Sequence, residues 1–309
     1  MKKLIIVLFL FSAIYLMSAI NENIRPKSSW SYVSEANKIL DSYNYYTSDN
    51  TIFSGGAVVD KESLDPITGS LVEYDYSHQV QSIKNYKNGI LDGRRYDYYN
   101  DGSISKITEY KKGEKEGEEL QFFSSGSPYI ISEYKNSLLN GTRYEFDDKG
   151  YRVLFTEYVN GKKEGEEIKF SENVIIQKSI YRNGRLNGKS IFYFSDGAVK
   201  AEGEYKDNFR EKEWVWYYPV SEGKNIKKIV ETYSNGKIRE IKGMYPDGSK
   251  ERSMVLTNGN GVFEQYYRNG SIKLKGNVRN YAADGTWTAY DLRGVPTAKS
   301  SFNLGNFLY

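Results

Sequence analysis

The sequence predicts an all-β fold: an elongated antiparallel meander of stacked β-hairpin repeats, about nine to ten units of about 24 residues each. Three observations carry this expectation. The stretch from Tyr86 to Glu109 recurs, with its opening tyrosine at positions 86, 110, 134, 158, 181 and 205. A fixed spacing of this size marks a repeat protein, in which each unit buries its apolar side chains only against its neighbours. Next, Asn-Gly and Asp-Gly pairs divide the runs of strand formers: Asn88-Gly89, Asp92-Gly93, Asp101-Gly102, Asn160-Gly161, Asn183-Gly184, Asp196-Gly197, Asn235-Gly236 and Asp247-Gly248. Such pairs tolerate positive φ at both centres of a type I′ turn, which joins antiparallel hairpins. Finally, 29 tyrosines and 28 glycines against 6 prolines favour half-buried strands and tight turns.

In chain order, Met1-Lys2-Lys3 and the apolar run to Ile20 have the layout of a secretory signal peptide over 1–19, cut after Ser18 or Ala19. The competing reading is an uncleaved anchor, because the run approaches the lower length limit of a bilayer span. Both place the remainder outside the cytoplasm, in the periplasm, at the cell surface or secreted. Residues 20–59 are expected to form a polar linker and one short capping helix, since Trp30, Val33, Ala36, Ile39 and Leu40 fall at helical spacing. So short a helix needs a surface to lie on. The expected surface is the first edge strand, because an open edge invites aggregation; a partner-binding helix is the alternative. The repeat domain is expected over 60–309, with Ser300–Tyr309 as its C-terminal cap.

Within a unit the spacing YxNGxxxG ends on a glycine, and the fifth residue beyond it is aromatic: Tyr74, Tyr98, Phe122, Phe146, Phe170, Tyr193, Tyr266 and Tyr290. Lys212 replaces the glycine in one unit, and Tyr217 keeps the aromatic. The third residue is usually apolar, as at Val72, Tyr96, Leu120, Tyr144, Ile168, Ile191 and Val215. Positions of one parity share a face of a strand, so this face is expected to be the buried spine throughout. Positions two, four and six lie opposite. They are mainly polar in the first half and turn aromatic later, at Phe192, Phe194, Trp214, Trp216, Tyr218, Phe263, Tyr267 and Trp287. An exposed aromatic strip is a binding surface for a peptide, a glycan or another subunit; the alternative is that the sheet curls there and buries both faces. The stretch 205–260 lacks the full spacing, and is either a decayed repeat or a built feature.

The units Tyr86-Lys87-Asn88-Gly89…Gly93…Tyr98-Tyr99…Asp101-Gly102 and Tyr181-Arg182-Asn183-Gly184…Gly188…Tyr193…Asp196-Gly197 resemble the bacterial variant of the MORN (membrane occupation and recognition nexus) repeat. The resemblance runs from about Asp60 to Phe302. It departs at Ser137 and Asn208 in place of the first glycine, at Lys212, and at Asn173-Val174, where altered turns are expected. The resemblance implies a β-hairpin repeat protein used for interaction or scaffolding, and some members are labelled antitoxins.

Chemistry has few footholds. The chain has no cysteine and one histidine, His78, so disulfides, thiolate sites and paired-histidine metal motifs are excluded. A formal net charge of +3 is not the footprint of a nucleic-acid binder. Glu116, Glu118 and Glu119, with Glu164, Glu166 and Glu167, are the one carboxylate lead toward a hydrolase. Beside lysines in KEGEE segments, they read as solvated turn charges. No cofactor or metal site is expected. The function that results is an exported, non-enzymatic repeat scaffold binding a protein, glycan or other envelope partner through its aromatic-rich sheet. An antitoxin neutralising one partner and an envelope hydrolase are the alternatives.

Overall fold

The computed structural model describes residues 27–219 and 225–305. The expected leader, the first part of the linker and residues 306–309 of the expected cap lie outside the described residues. The protein is all-β apart from one helix, α1 (Trp30–Ser42), with 23 strands among the described residues. Strands β2 (Thr51–Ser54) and β3 (Ala57–Asp60) form a separate hairpin. The others belong to an open 21-stranded antiparallel meander, to which the two-residue β1 (Tyr46–Thr47) adds in parallel beside β4 (Gly69–Tyr74). The β2–β3 hairpin lies where a linker was expected, because four-residue strands are too short to show an alternating pattern. Among the described residues two compact units result: one takes in the chain to Glu114 with Glu119–Tyr129, the other Lys115–Glu118 and the chain from Ile130 onward.

In the first unit, α1 lies on a sheet face and not on the edge strand. Its Tyr32 ring sits 6.3 Å from that of Phe122, at the end of β8 (Glu114–Phe122). Its Glu35 carboxylate accepts from Arg94 Nη1 at 2.6 Å, on β6 (Ile90–Tyr98). Both strands carry buried aromatics there, Tyr96 and Phe122. The expectation of an edge-covering helix is corrected on physical grounds: an apolar stripe seeks apolar area, whereas a strand edge needs backbone partners that only a strand supplies. β1 supplies them, pairing Tyr46 with Leu71 and Thr47 with Val72.

The second unit comprises most of the repeats, from β10 (Leu138–Phe146), β11 (Arg152–Val159), β12 (Lys162–Ser171), β13 (Val174–Arg182), β14 (Arg185–Tyr193) and β15 (Val199–Lys206) through β16 (Phe209–Tyr217) and β17 (Lys227–Ser234). β18 (Lys237–Met244), β19 (Lys250–Thr257), β20 (Asn260–Tyr266), β21 (Ile272–Arg279), β22 (Ala282–Tyr290) and β23 (Pro296–Gly305) continue the same alternation. The sequence-irregular 205–260 stretch therefore keeps the meander.

Two turn types alternate, not one. Asn160-Gly161 has positive φ at both residues, 48° and 78°, as type I′ requires. At Asp196-Gly197 only the glycine is left-handed, φ 84°, while Gly197 N–H donates to Phe194 O at 3.0 Å and Phe194 N–H to Ala198 O at 2.8 Å. This is a type I turn closing on a glycine bulge. The aspartate stays right-handed and accepts Ala198 N–H at 2.9 Å. Asp92-Gly93 is no turn at all and lies inside β6. The expected disturbance is absent at Ser137 and Asn208, whereas at Asn173-Val174 the turn is altered as expected. Ser137, Asn173 and Asn208 keep positive φ, and each side chain compensates by accepting a neighbouring strand's N–H, from Lys115 (3.0 Å), Arg152 (3.0 Å) and Leu186 (2.8 Å). The two-residue turn Glu172-Asn173 replaces a longer one, which shortens that unit's tyrosine spacing to 23.

The motif glycine has a role of its own. At Gly165, φ is 102° and a Cβ would lie 2.0 Å from Oε2 of Glu157. That oxygen accepts the Glu166 N–H at 2.6 Å. The glycine opens the strand so that the adjacent strand's carboxylate can cap the exposed N–H.

Register pairs trace two adjacent rows across the second unit, on opposite faces. The first runs Ile131, Tyr144, Phe155, Ile168, Lys178, Ile191, Glu202, Val215 and Val230, then Lys242, Ser253, Glu264, Lys275 and Thr288. The second starts polar, with Ser132, Arg143, Thr156, Glu167, Ser179 and Ser190. Beyond Gly203 it becomes apolar apart from Glu231, with Trp214, Glu231, Ile241, Met254 and Phe263 in turn. The apolar row crosses from one face to the other between β13 and β18. The expected spine on positions three and five therefore holds for β10 to β12, where Phe146, Phe155, Ile168 and Phe170 are buried. It fails at Glu264 and Thr288, where the core, with Ile238, Leu256 and Val278, has moved to the second face.

Candidate functional site

The eight aromatic residues proposed from sequence all lie in the second unit, but they divide into two groups. Trp214 is fully buried and Phe263 is 9% exposed within the core cluster, so neither offers surface to a partner. The reason is local. Gly203 on β15 faces Trp214, and a Cβ there would come within 2.2 Å of the indole. Where other units place Thr108, Ser132, Thr156 or Ser179 beside a polar side chain, this one has glycine beside tryptophan. The ring settles onto the bare backbone and donates Nε1–H to Glu204 O at 3.0 Å. Gly276 and Trp287 repeat the arrangement, with 2.1 Å to a Cβ and 3.0 Å from Nε1 to Asn277 O.

Phe192, Phe194, Trp216, Tyr218, Tyr267 and Trp287 are half-buried on the second face of β14 to β22 and its turns. The four with polar tips, Trp216, Tyr218, Tyr267 and Trp287, have them tied to the protein. Trp216 Nε1 donates to Glu231 Oε2 at 3.1 Å, Tyr218 Oη to Met244 O at 3.1 Å, and Tyr267 Oη to Tyr290 O at 2.8 Å. Trp287 stacks on Phe263 with centroids 5.5 Å apart. The rings are thus fixed, and what remains open to solvent is carbon and π surface.

Three residues that the sequence reading missed complete the centre of the strip. Arg210 lies over the rings of Trp214 (4.6 Å), Trp216 (5.5 Å) and Tyr233 (5.5 Å). Glu231 accepts from Trp216, from Tyr233 Oη at 3.0 Å and from Arg210 Nη1 at 3.4 Å. Burial and the Glu231 carboxylate push the Tyr233 hydroxyl up to about 12, so it remains a donor at neutral pH. A signal for the cluster was present in sequence. Lys163 also stands two residues before a motif glycine and lies over a repeat tyrosine, Tyr181, at 4.9 Å; Arg210 holds the same place before Lys212.

The acidic segments are structural, and here the sequence reading is corrected. Glu167 is 3% exposed and Glu119 4%, so they are not solvated turn charges. Glu167 is ion-paired with Lys163 and accepts from Tyr181 Oη at 3.3 Å. Glu116 and Glu164 accept the turn N–H groups of Asn136 (3.0 Å) and Asn183 (2.7 Å). These residues sit in strands because KEGEE contains the motif glycine, which belongs mid-strand. Among the described residues no group of acidic or histidine side chains is arranged to hold a metal ion.

A family model described as MORN repeat variant matches residues 91–112, 115–136, 186–207 and 260–280. Each segment spans a glycine-bearing strand and the strand that follows it, so the matched unit is the hairpin closed by the glycine-bulge turn. Two of the four lie within the aromatic part of the sheet. No curated protein matches the chain.

Proposed function

The chain is a MORN repeat variant protein, and on that premise we propose that it is a non-enzymatic scaffold that binds a partner through the aromatic strip on the second face of β14 to β22. One observation carries this reading: the half-exposed rings of Trp216, Tyr218, Tyr267 and Trp287 have their polar ends bonded inside the protein. Rings held in place lose little conformational entropy when a partner covers them. Burying a half-exposed tryptophan contributes on the order of 1–2 kcal/mol at about 25 cal/mol per Å² of apolar surface. Several in one row suffice for a specific contact. The acidic residues that would serve a hydrolase are engaged instead in capping turns and in buried pairs, which supports binding over catalysis.

The leader-like segment supports action outside the cytoplasm, at the envelope or cell surface. Fractionation of cells expressing the full chain is expected to recover it from the exported fraction, and recovery in the cytoplasm would overturn that part. The binding part is tested by capture from envelope extracts. Trp216→Ala should reduce capture while moving the thermal midpoint little, whereas Trp214→Ala should lower the midpoint clearly. Equal capture by the wild type and Trp216→Ala would remove the strip from consideration.

A further inference from the structure

The turn-side margin of the same face carries a regular feature that the aromatic strip does not explain. In four consecutive units, from β14 to β21, the aromatic residue at the bulge turn has a cation over its ring. Lys200 lies 5.9 Å from the Phe194 centroid, Lys228 5.5 Å from Tyr218, Arg268 5.4 Å from Tyr245 and Lys273 5.7 Å from Tyr267. Lys200, Lys228 and Lys273 occupy the extra residue of a β-bulge, which aims them at that margin. All four cations are exposed, and none is ion-paired with a carboxylate among the described residues. The nearby acidic groups are otherwise engaged. Asp196 accepts a turn N–H, Asp247 accepts from Ser249 and meets Arg268 only at longer range, and Glu251 is paired with Arg252.

A ring beneath an ammonium or guanidinium group positions the charge without neutralising it. The four rings stand one per hairpin, so with strands about 4.8 Å apart the charges over them recur at about 10 Å, Arg268 reaching back from the β20–β21 turn to the Tyr245 ring. The result is an ordered line of unneutralised positive charge beside a line of open aromatic surface. A linear polymer of acidic sugar rings whose successive members turn opposite ways offers every second carboxylate to one side, with apolar ring faces between, and so complements both lines. We propose that this margin is a docking track for a linear acidic glycan, whose carboxylates meet Lys200, Lys228, Arg268 and Lys273 while its sugar rings lie against the aromatic strip. The proposal deepens the scaffold reading and rests on it. Nucleic acid fits less well, because its closely spaced phosphates ask for denser positive charge than one cation per unit.

The test is binding of the purified protein to polygalacturonate, with neutral dextran, polyglutamate and duplex DNA as comparison polymers. The wild type should bind polygalacturonate with an affinity that falls as salt rises, and should bind the other three more weakly. Each exposed ion pair is worth up to about fivefold, so Lys200→Gln/Lys228→Gln/Lys273→Gln should lose about tenfold or more. Lys135→Gln/Lys162→Gln/Lys237→Gln, with the same net charge and exposed lysines elsewhere in the unit, should lose less than about twofold. The single variants Lys228→Gln and Lys273→Gln, which each keep the other cations, should lose about two- to threefold and serve if the triple variant melts early. No binding at low salt, equal losses in the two triple variants, or polyglutamate or DNA bound as tightly as polygalacturonate would each overturn the proposal. If polygalacturonate fails while Trp216→Ala still loses its partner, the track is wrong and the scaffold reading stands.

Discussion

Gly203→Ala isolates the reason that this unit carries tryptophan where earlier units carry Arg143, Glu167 or Ser190. Gly203 has an ordinary strand backbone, so no left-handed conformation complicates the substitution. On backbone grounds alone alanine would be favoured in a strand interior by about 0.5–1 kcal/mol. The structure predicts the opposite sign. The new Cβ would lie 2.2 Å from Cδ2 of Trp214, a fully buried ring. The indole cannot retreat easily: it is bonded to Glu204 O, meets Tyr205 edge-on at 4.9 Å and has Arg210 over its ring at 4.6 Å. Overpacking of this kind costs about 1–3 kcal/mol. Trp214→Ala alone should cost about 3–5 kcal/mol. In that background Gly203→Ala should become neutral or stabilising, giving a coupling of about 1–3 kcal/mol in a double-mutant cycle. Urea unfolding, supported by hydrogen exchange at the β15 and β16 amides, measures all four corners and guards against non-two-state unfolding of a repeat array. Should Gly203→Ala be harmless in the wild type, or equally harmful with and without the tryptophan, then the ring is not the reason for the glycine.

Two further predictions address the polar row and the first unit. Lys163→Met should destabilise by about 3 kcal/mol, because it strands the buried Glu167 carboxylate, and Lys163→Met/Glu167→Gln should recover most of the loss; equal melts of the single and double variants would show that Glu167 is already solvated. In the first unit, burial pushes the Glu73 carboxyl up, but hydrogen bonds from Lys84 Nζ (2.6 Å) and Ser82 Oγ (2.7 Å) outweigh it and hold it below the usual glutamate range. Its contribution is therefore full above the unfolded-state glutamate value and is lost as pH falls through the lower folded-state value. Acid titration of the melting midpoint should show this loss in the wild type and not in Lys84→Met, and identical acid limbs would refute the linkage.

The polar and aromatic halves of the second face obey one packing rule. Position two of each motif strand, including β16 with its Lys212, is half-buried or buried whatever occupies it: Glu167, Ser190, Trp214 and Phe263 are all buried, while Arg143 is half-buried. The facing residue on the adjacent strand adjusts in size, from Thr156 and Ser179 to Gly203 and Gly276. Such compensation lets a repeat change the chemistry of a face without changing its backbone. It explains how a scaffold confines a binding strip to a few consecutive units.

Much was decided along the chain. A tyrosine every 24 residues, interrupted once by 23, together with Asn-Gly pairs that accept two left-handed residues, dictates hairpins joined in sequence, because these are local properties of three or four residues. The aromatic strip was legible as a parity pattern for the same reason. Which of its members face solvent was not. Parity assigns Trp214 and Trp216 to one face, but only the glycine brought opposite by pairing, Gly203, sinks the first ring, while Ala201 and Ile229 flank the second. Nor could the chain alone reveal that the apolar row changes sides between β13 and β18, since that depends on which residues of successive strands become neighbours across the bulges. The helix was likewise readable from its spacing, and its resting place was not. Turns are settled by the residues within them, whereas burial belongs to pairs of residues that the chain keeps apart until the sheet forms.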